Sequence, residues 1–186
     1  MTRYDILLYL HVSSAIIWLG AGLLTIVLQE RAFRSGDAGE VLRGFQDEGW
    51  LAPRLFIPAA LSTLVLGVLL VIEGDWGFTT PWILIGLGGF ATTFITGIAF
   101  LKPTGERIAE IISRDVRLSP AVVAEARRRL MVGRIDIAIL FTVVFDMAVK
   151  PDGGEVVTLL VVLAILVTVA ALSAGRGPRF SDIRPE

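Results

Sequence analysis

Six residues join chemical capacity to apolar surroundings: His11, Arg54, Arg134, Asp136, Asp146 and Met147. An ionisable side chain in hydrocarbon costs on the order of 2.5–3.5 kcal/mol, so each needs a partner, water or a route to the interface. His11 is the single histidine. An imidazole can ligate haem b or a metal ion, or pass protons, and a nearby carboxylate would orient it for either task. Asp146 is the carboxylate expected at the depth of His11, so the two form a candidate proton or ion path and a weaker candidate metal pair. Met147 is a weak second soft ligand for a cofactor on His11, since methionine fills gaps in apolar packing far more often than it binds iron. Arg54, Arg134 and Asp136 are expected at the other membrane face as a structural ion cluster, one carboxylate between two guanidiniums. Arginines that snorkel to the headgroups are the competing reading.

No catalytic residue is assigned. The sequence holds no convincing Ser-His-Asp arrangement, HExxH, phosphate loop or dinucleotide fingerprint, which leans against an enzyme. It has no cysteine, which removes disulfides, thiolate metal sites and cysteine nucleophiles. One histidine cannot supply a two-histidine haem site within a single chain.

The elements that must position these residues are membrane helices. Of 186 residues 54% are hydrophobic, more than a soluble core of this size accommodates. Five stretches reach the ~20 apolar residues that cross a bilayer as a helix: residues 6–28, 51–72, 81–101, 133–149 and 156–174. The fourth is the shortest and carries Arg134, Asp136 and Asp146. The expected fold is all-α, a polytopic bundle forming one domain over residues 1–175, with a basic tail at 176–186.

Basic residues set the direction. Arg31, Arg34 and Arg43 follow the first span, Lys102 through Arg129 follow the third, and Arg176, Arg179 and Arg184 follow the fifth. By the positive-inside rule the N-terminus is outside and the C-terminus cytoplasmic, in a bacterial inner membrane. Trp76 and Trp82 suit an outer aromatic belt. Within the long third loop, Thr104 with Glu106 predicts one helix start and Ser119-Pro120 a second. The second stretch has a basic and an apolar face, as a helix on anionic headgroups or a solvated connector would. Gly86, Gly89, Thr93 and Gly97 form a small-residue stripe expected to pack against a neighbouring helix, and Ser14, Trp18, Gly22 and Thr25 share a face with His11.

The run from Leu10 through His11, Ser14 and Trp18 to Gly20 resembles the first span of a family of bacterial predicted integral membrane proteins, the domain of unknown function 2269 type. Trp50, Pro53-Arg54, Pro58, Trp76, Trp82, Pro103, Arg134 with Asp136, and Asp146-Met147 before Lys150-Pro151 continue the resemblance over residues 5–151. It implies a membrane fold and brings no activity with it. His11, Trp18 and Gly20 are also distantly similar to the copper-resistance D type and haem-containing protoporphyrinogen oxidase membrane domains. The absence of a second histidine and of an intramembrane lysine departs from the oxidase pattern.

Three function classes follow: a haem- or metal-binding membrane protein using His11, a proton-coupled or ion-conducting transport protein using His11 and Asp146, and a non-catalytic membrane accessory protein. The expected partners are membrane lipids and a second copy in a homodimer, and nucleic acid is not implied.

Overall fold

A capping box starts the first helix. The Thr2 hydroxyl accepts from the Asp5 amide, and the Asp5 carboxylate accepts from the Thr2 amide at 2.7 Å. The computed structural model describes residues 1–115, 117–151, 160 and 162–169. Its first helix, α1 (Arg3–Ser35), ends on Gly36, whose φ of 72° suits a residue without a Cβ. Asp37 then accepts from the Gly39 amide to start α2 (Ala38–Leu51).

α2 continues through a π turn, Ala52–Phe56, into α3 (Ile57–Glu73). Likewise α4 (Pro81–Thr96) continues through a second π turn, Gly97–Leu101, into α5 (Lys102–Arg114). Each wide turn closes one residue before a proline: the Ile57 amide reaches the Ala52 carbonyl ahead of Pro58, and the Lys102 amide reaches the Gly97 carbonyl ahead of Pro103. A proline inside a helix withholds an N–H and presses on the carbonyl four residues back, and one extra residue in the turn accommodates both. The last described long helix, α6 (Pro120–Val149), is capped by the Ser119 hydroxyl as the sequence predicts.

Three continuous stretches, Arg3–Ser35, Ala38–Glu73 and Pro81–Arg114, are long and apolar enough to cross a membrane. The spans expected at 6–28, 51–72 and 81–101 lie within them. α6 contains the stretch expected at 133–149, but Arg134, Asp136 and Asp146 interrupt its apolar run. The fifth expected span, 156–174, lies largely outside the described residues, although 160 and 162–169 are helical; the tail at 176–186 lies wholly outside them. Among the described residues there is no strand. Ile16, Leu24, Val65 and Ile95 are exposed around the perimeter, an apolar surface suited to lipid.

α1 packs along α3, α4 along α6, and α1 also touches α6. Glycines allow the close approaches. A Cβ at Gly89 would stand 2.2 Å from Val143 Cγ2, and one at Gly22 would stand 3.1 Å from Ile137 Cδ1. The expected seam on α4 therefore packs through Gly86, Gly89 and buried Thr93, whereas Gly97 meets nothing within 4 Å.

Beyond the spans, at the end rich in basic residues, Phe33, Val41, Phe45, Ile108, Ile112, Val122 and Ala126 form a buried apolar cluster. This revises two expectations for the third loop. α5 grows out of α4 through the π turn, so Thr104 caps nothing. The apolar face that opens α6 is buried against α5 and the α1–α2 region, because neighbouring helices remove it from water more completely than a headgroup surface would.

The α4–α6 seam predicts that Gly89→Ala will lower stability by about 1–3 kcal/mol, since the branched Val143 side chain cannot swing aside. Thermal unfolding in detergent should show the loss, with Val143→Ala recovering part of it.

Candidate functional site

At the basic end one guanidinium gathers four helical stretches. Arg129 of α6 is only 5% exposed. Its Nε donates to the Leu101 carbonyl at 2.9 Å, Nη1 to Gln29 Oε1 at 2.7 Å, and Nη2 to both Glu48 oxygens at 2.7 and 2.8 Å. Gln29 closes the ring by donating to Glu48, and the Phe45 ring lies 5.1 Å from the guanidinium carbon. Such a group is tolerable in a nonpolar setting only when its donors and the opposing carboxylate are satisfied together.

Around this knot and toward the membrane interior, the helices line a partly open cavity of about 490 Å³. Both π turns line it, with Ala52, Pro53 and Phe56 from one and Gly97, Ile98 and Leu101 from the other. α1 contributes Trp18, Gly22, Thr25 and Ile26, and α6 contributes Gly133, Asp136, Ile137 and Leu140. The floor is the Gln29–Glu48–Arg129 knot and the walls are mainly apolar or aromatic. Volume and lining fall in the range of sites for small organic molecules. π turns recur at such sites because they displace backbone from regular helical packing.

Asp136 lies in the cavity wall, about two turns from Arg129 along α6. Its Oδ1 is buried and meets no hydrogen-bond donor among the described residues. The cluster expected around it does not pair up. Arg134 bonds Glu30 of α1 at 2.5 Å, and Arg34 bonds the same carboxylate. Arg54 is exposed, donates to the Trp50 carbonyl at 2.9 Å and lies over the Trp50 ring. Proximity along the helix did not choose the partners; the rotation of α6 that turns Arg134 toward α1 did.

Toward the opposite end, His11 packs on α3. Its Nδ1 is 2.8 Å from the Thr63 carbonyl, and a Cβ at Gly67 would touch the ring. A carbonyl only accepts, so Nδ1 carries the proton and Nε2 is the basic nitrogen of the neutral ring. Asp146 is 0% exposed, and both its oxygens are buried without a donor among the described residues. It borders Gly86 of α4, as does Met147, which packs with Val71, Trp82 and Ile83. His11 and Asp146 thus contact different helices, and no ion pair within 4 Å joins them among the described residues. Lys150, one turn beyond Asp146, lies over the Trp76 and Trp82 rings at 4.9 and 5.3 Å. Met147 and His11 face separate neighbours, and among the described residues no three His, Cys, Asp or Glu side chains gather at ligating range.

Gln29, Glu48 and Arg129 were not singled out by their sequence surroundings. One signal was available: Arg129 shares a helical face with Val122, Ala126 and Gly133, out of phase with Arg127 and Arg128.

A family model described as Predicted integral membrane protein (DUF2269) matches residues 5–151. No curated protein and no solved structure matches the chain.

Two measurements test the basic end. Arg129→Met should cost about 3–5 kcal/mol in thermal unfolding, because it strands Glu48 partly buried, and Glu48→Leu added to it should restore part of the loss. For Glu30, burial raises the carboxyl pKa, but the hydrogen bonds from Arg134 and Arg34 outweigh it and leave the group below its ordinary value. Its contribution to stability is therefore complete above the ordinary carboxylate range and is lost as pH falls through the lowered value. Melting temperature against pH should fall less steeply at the acid end in Glu30→Gln than in the wild type.

Proposed function

We propose that this chain, which belongs to the DUF2269 family of predicted integral membrane proteins, holds a small amphipathic molecule in the cavity between its two π turns. The supporting observation is a partly open cavity of about 490 Å³, apolar and aromatic in its walls, with a polar floor at Arg129 and, at Asp136, a carboxylate whose Oδ1 meets no donor among the described residues. The protein spans the bacterial inner membrane five times, with its N-terminus outside and its C-terminus in the cytoplasm. The arginines in the last turns of α1, in α2 and around α5 support that direction. On this topology the cavity occupies the cytoplasmic half of the bilayer. Molecules reach it from the inner leaflet or the cytoplasm.

Gly97 lines the cavity and a Cβ there would meet nothing within 4 Å, so this is the position at which to fill it. Purified protein in lipid nanodiscs should bind the uncharged fluorophore N-phenyl-1-naphthylamine saturably above the background of empty discs, and Gly97→Phe should abolish that component. Binding that is unchanged in Gly97→Phe would rule the cavity out as the site.

A second reading rests on Asp146, a wholly buried span carboxylate whose oxygens meet no donor among the described residues, while the nearby Lys150 ammonium lies on indole rings. His11 on α1, with its basic Nε2, is a second, separate proton-carrying group in the outer leaflet half. In proteoliposomes, a pH gradient should drive proton flux that Asp146→Asn removes and His11→Ala reduces. Flux equal to that of empty liposomes would dismiss this reading.

A further inference from the structure

Five charged side chains line the cavity: Glu48, Lys102, Glu106, Arg129 and Asp136. Four of them are matched. Arg129 pairs with Glu48 at 2.7 Å, and Lys102 with Glu106 at 4.0 Å. Asp136 is left over. Arg134, next but one in sequence, is engaged by Glu30, and no cationic group among the described residues lies within 4 Å of the Asp136 carboxylate. Among the described residues, Asp136 is therefore the ionisable group of the lining left without a partner, and it is acidic.

We propose that the molecule held there is an amphipathic organic cation, an ammonium head on an apolar body, with its charged end taken by Asp136. This rests on the cavity reading above and names its ligand class. A cationic head lets Asp136 hold its charge beside a counter-charge, which a neutral head cannot supply and an anionic head would oppose. An ammonium supplies both the charge and N–H donors, forming the stronger, charge-assisted kind of hydrogen bond. Trp18, Phe56 and Phe94 belong to the same lining, and aromatic ring faces attract cations. A bare metal ion is a poor match. A hard cation wants several oxygen ligands at close range, and the described residues provide no such group, whereas the volume suits an organic molecule.

The test keeps the chain length of the probe constant and varies its head. Decylammonium, decanol and decanoate are each titrated against bound N-phenyl-1-naphthylamine in nanodiscs, with wild type, Asp136→Asn, Asp136→Glu and Gly97→Phe. Decylammonium should displace the fluorophore from wild type at a concentration at least about tenfold below that of decanol, the scale of one charge-assisted contact. Asp136→Asn should bring the two within about twofold, and Asp136→Glu should keep the preference. If Asp136→Asn does not accumulate, the order of heads on wild type decides, because a cation site separates decylammonium from decanol and an indifferent cavity does not. Equal displacement by all three heads, with fluorophore binding still lost in Gly97→Phe, overturns the cation and leaves the cavity. Fluorophore binding that survives Gly97→Phe overturns the cavity reading itself.

Discussion

The Arg129 guanidinium ties four parts of the chain into one hydrogen-bonded knot. Its donors reach Gln29 on α1, Glu48 on α2 and the Leu101 carbonyl at the end of the second π turn. Removing such a group from water costs several kcal/mol, and the cost is offset only while each donor has its acceptor. The requirement works in both directions. The guanidinium needs these helices in place, and their positions relative to α6 are held by it. The apolar cluster of Phe45, Ile108, Ile112 and Val122 lies on the same end of the bundle and provides the nonpolar surroundings that make the ion pair consequential.

The cavity follows from two irregular turns meeting over that knot. Pro58 and Pro103 each follow a turn that has taken in one more residue than an α-helix uses. In lipid, a freed backbone group must find a partner within the protein, and the i to i−5 bonds supply one. The displaced backbone and the small side chain of Gly97 leave space that regular packing would have filled, unlike the α4–α6 seam two turns away, where Gly89 brings Val143 into contact. One stripe of small residues thus serves two purposes along its length, close packing at one end and open volume at the other.

The placement of charges shows what could be read without coordinates. That Arg54, Arg134 and Asp136 belong at one end of the bundle was legible from the alternation of apolar runs. Their partners were not, because pairing depends on how far each helix is rotated and extended. Glu30 and Glu48 lie between the first two expected spans, and α1 and α2 run as helices through that segment and carry both to α6. Arg129 sat within a basic run whose other members suggested a headgroup surface. At the other end, His11 and Asp146 were legible as charges in apolar runs, while the helix each one faces, α3 and α4 respectively, depended on packing.

By itself, the sequence determined an all-helical membrane chain, the approximate limits of its first three apolar spans, the start of α6 at Ser119-Pro120, and the family, because these depend on local composition, hydropathy over a helix length, capping residues and landmark positions. Only the tertiary structure decided that the helices pass through π turns without breaking, that the third-loop helices bury one another's apolar faces, and that Arg129 rather than Asp136 anchors the ionic knot. Those outcomes depend on the mutual rotation and depth of helices far apart in the chain. A one-dimensional pattern of side chains carries the face of each helix but not which neighbour that face will meet.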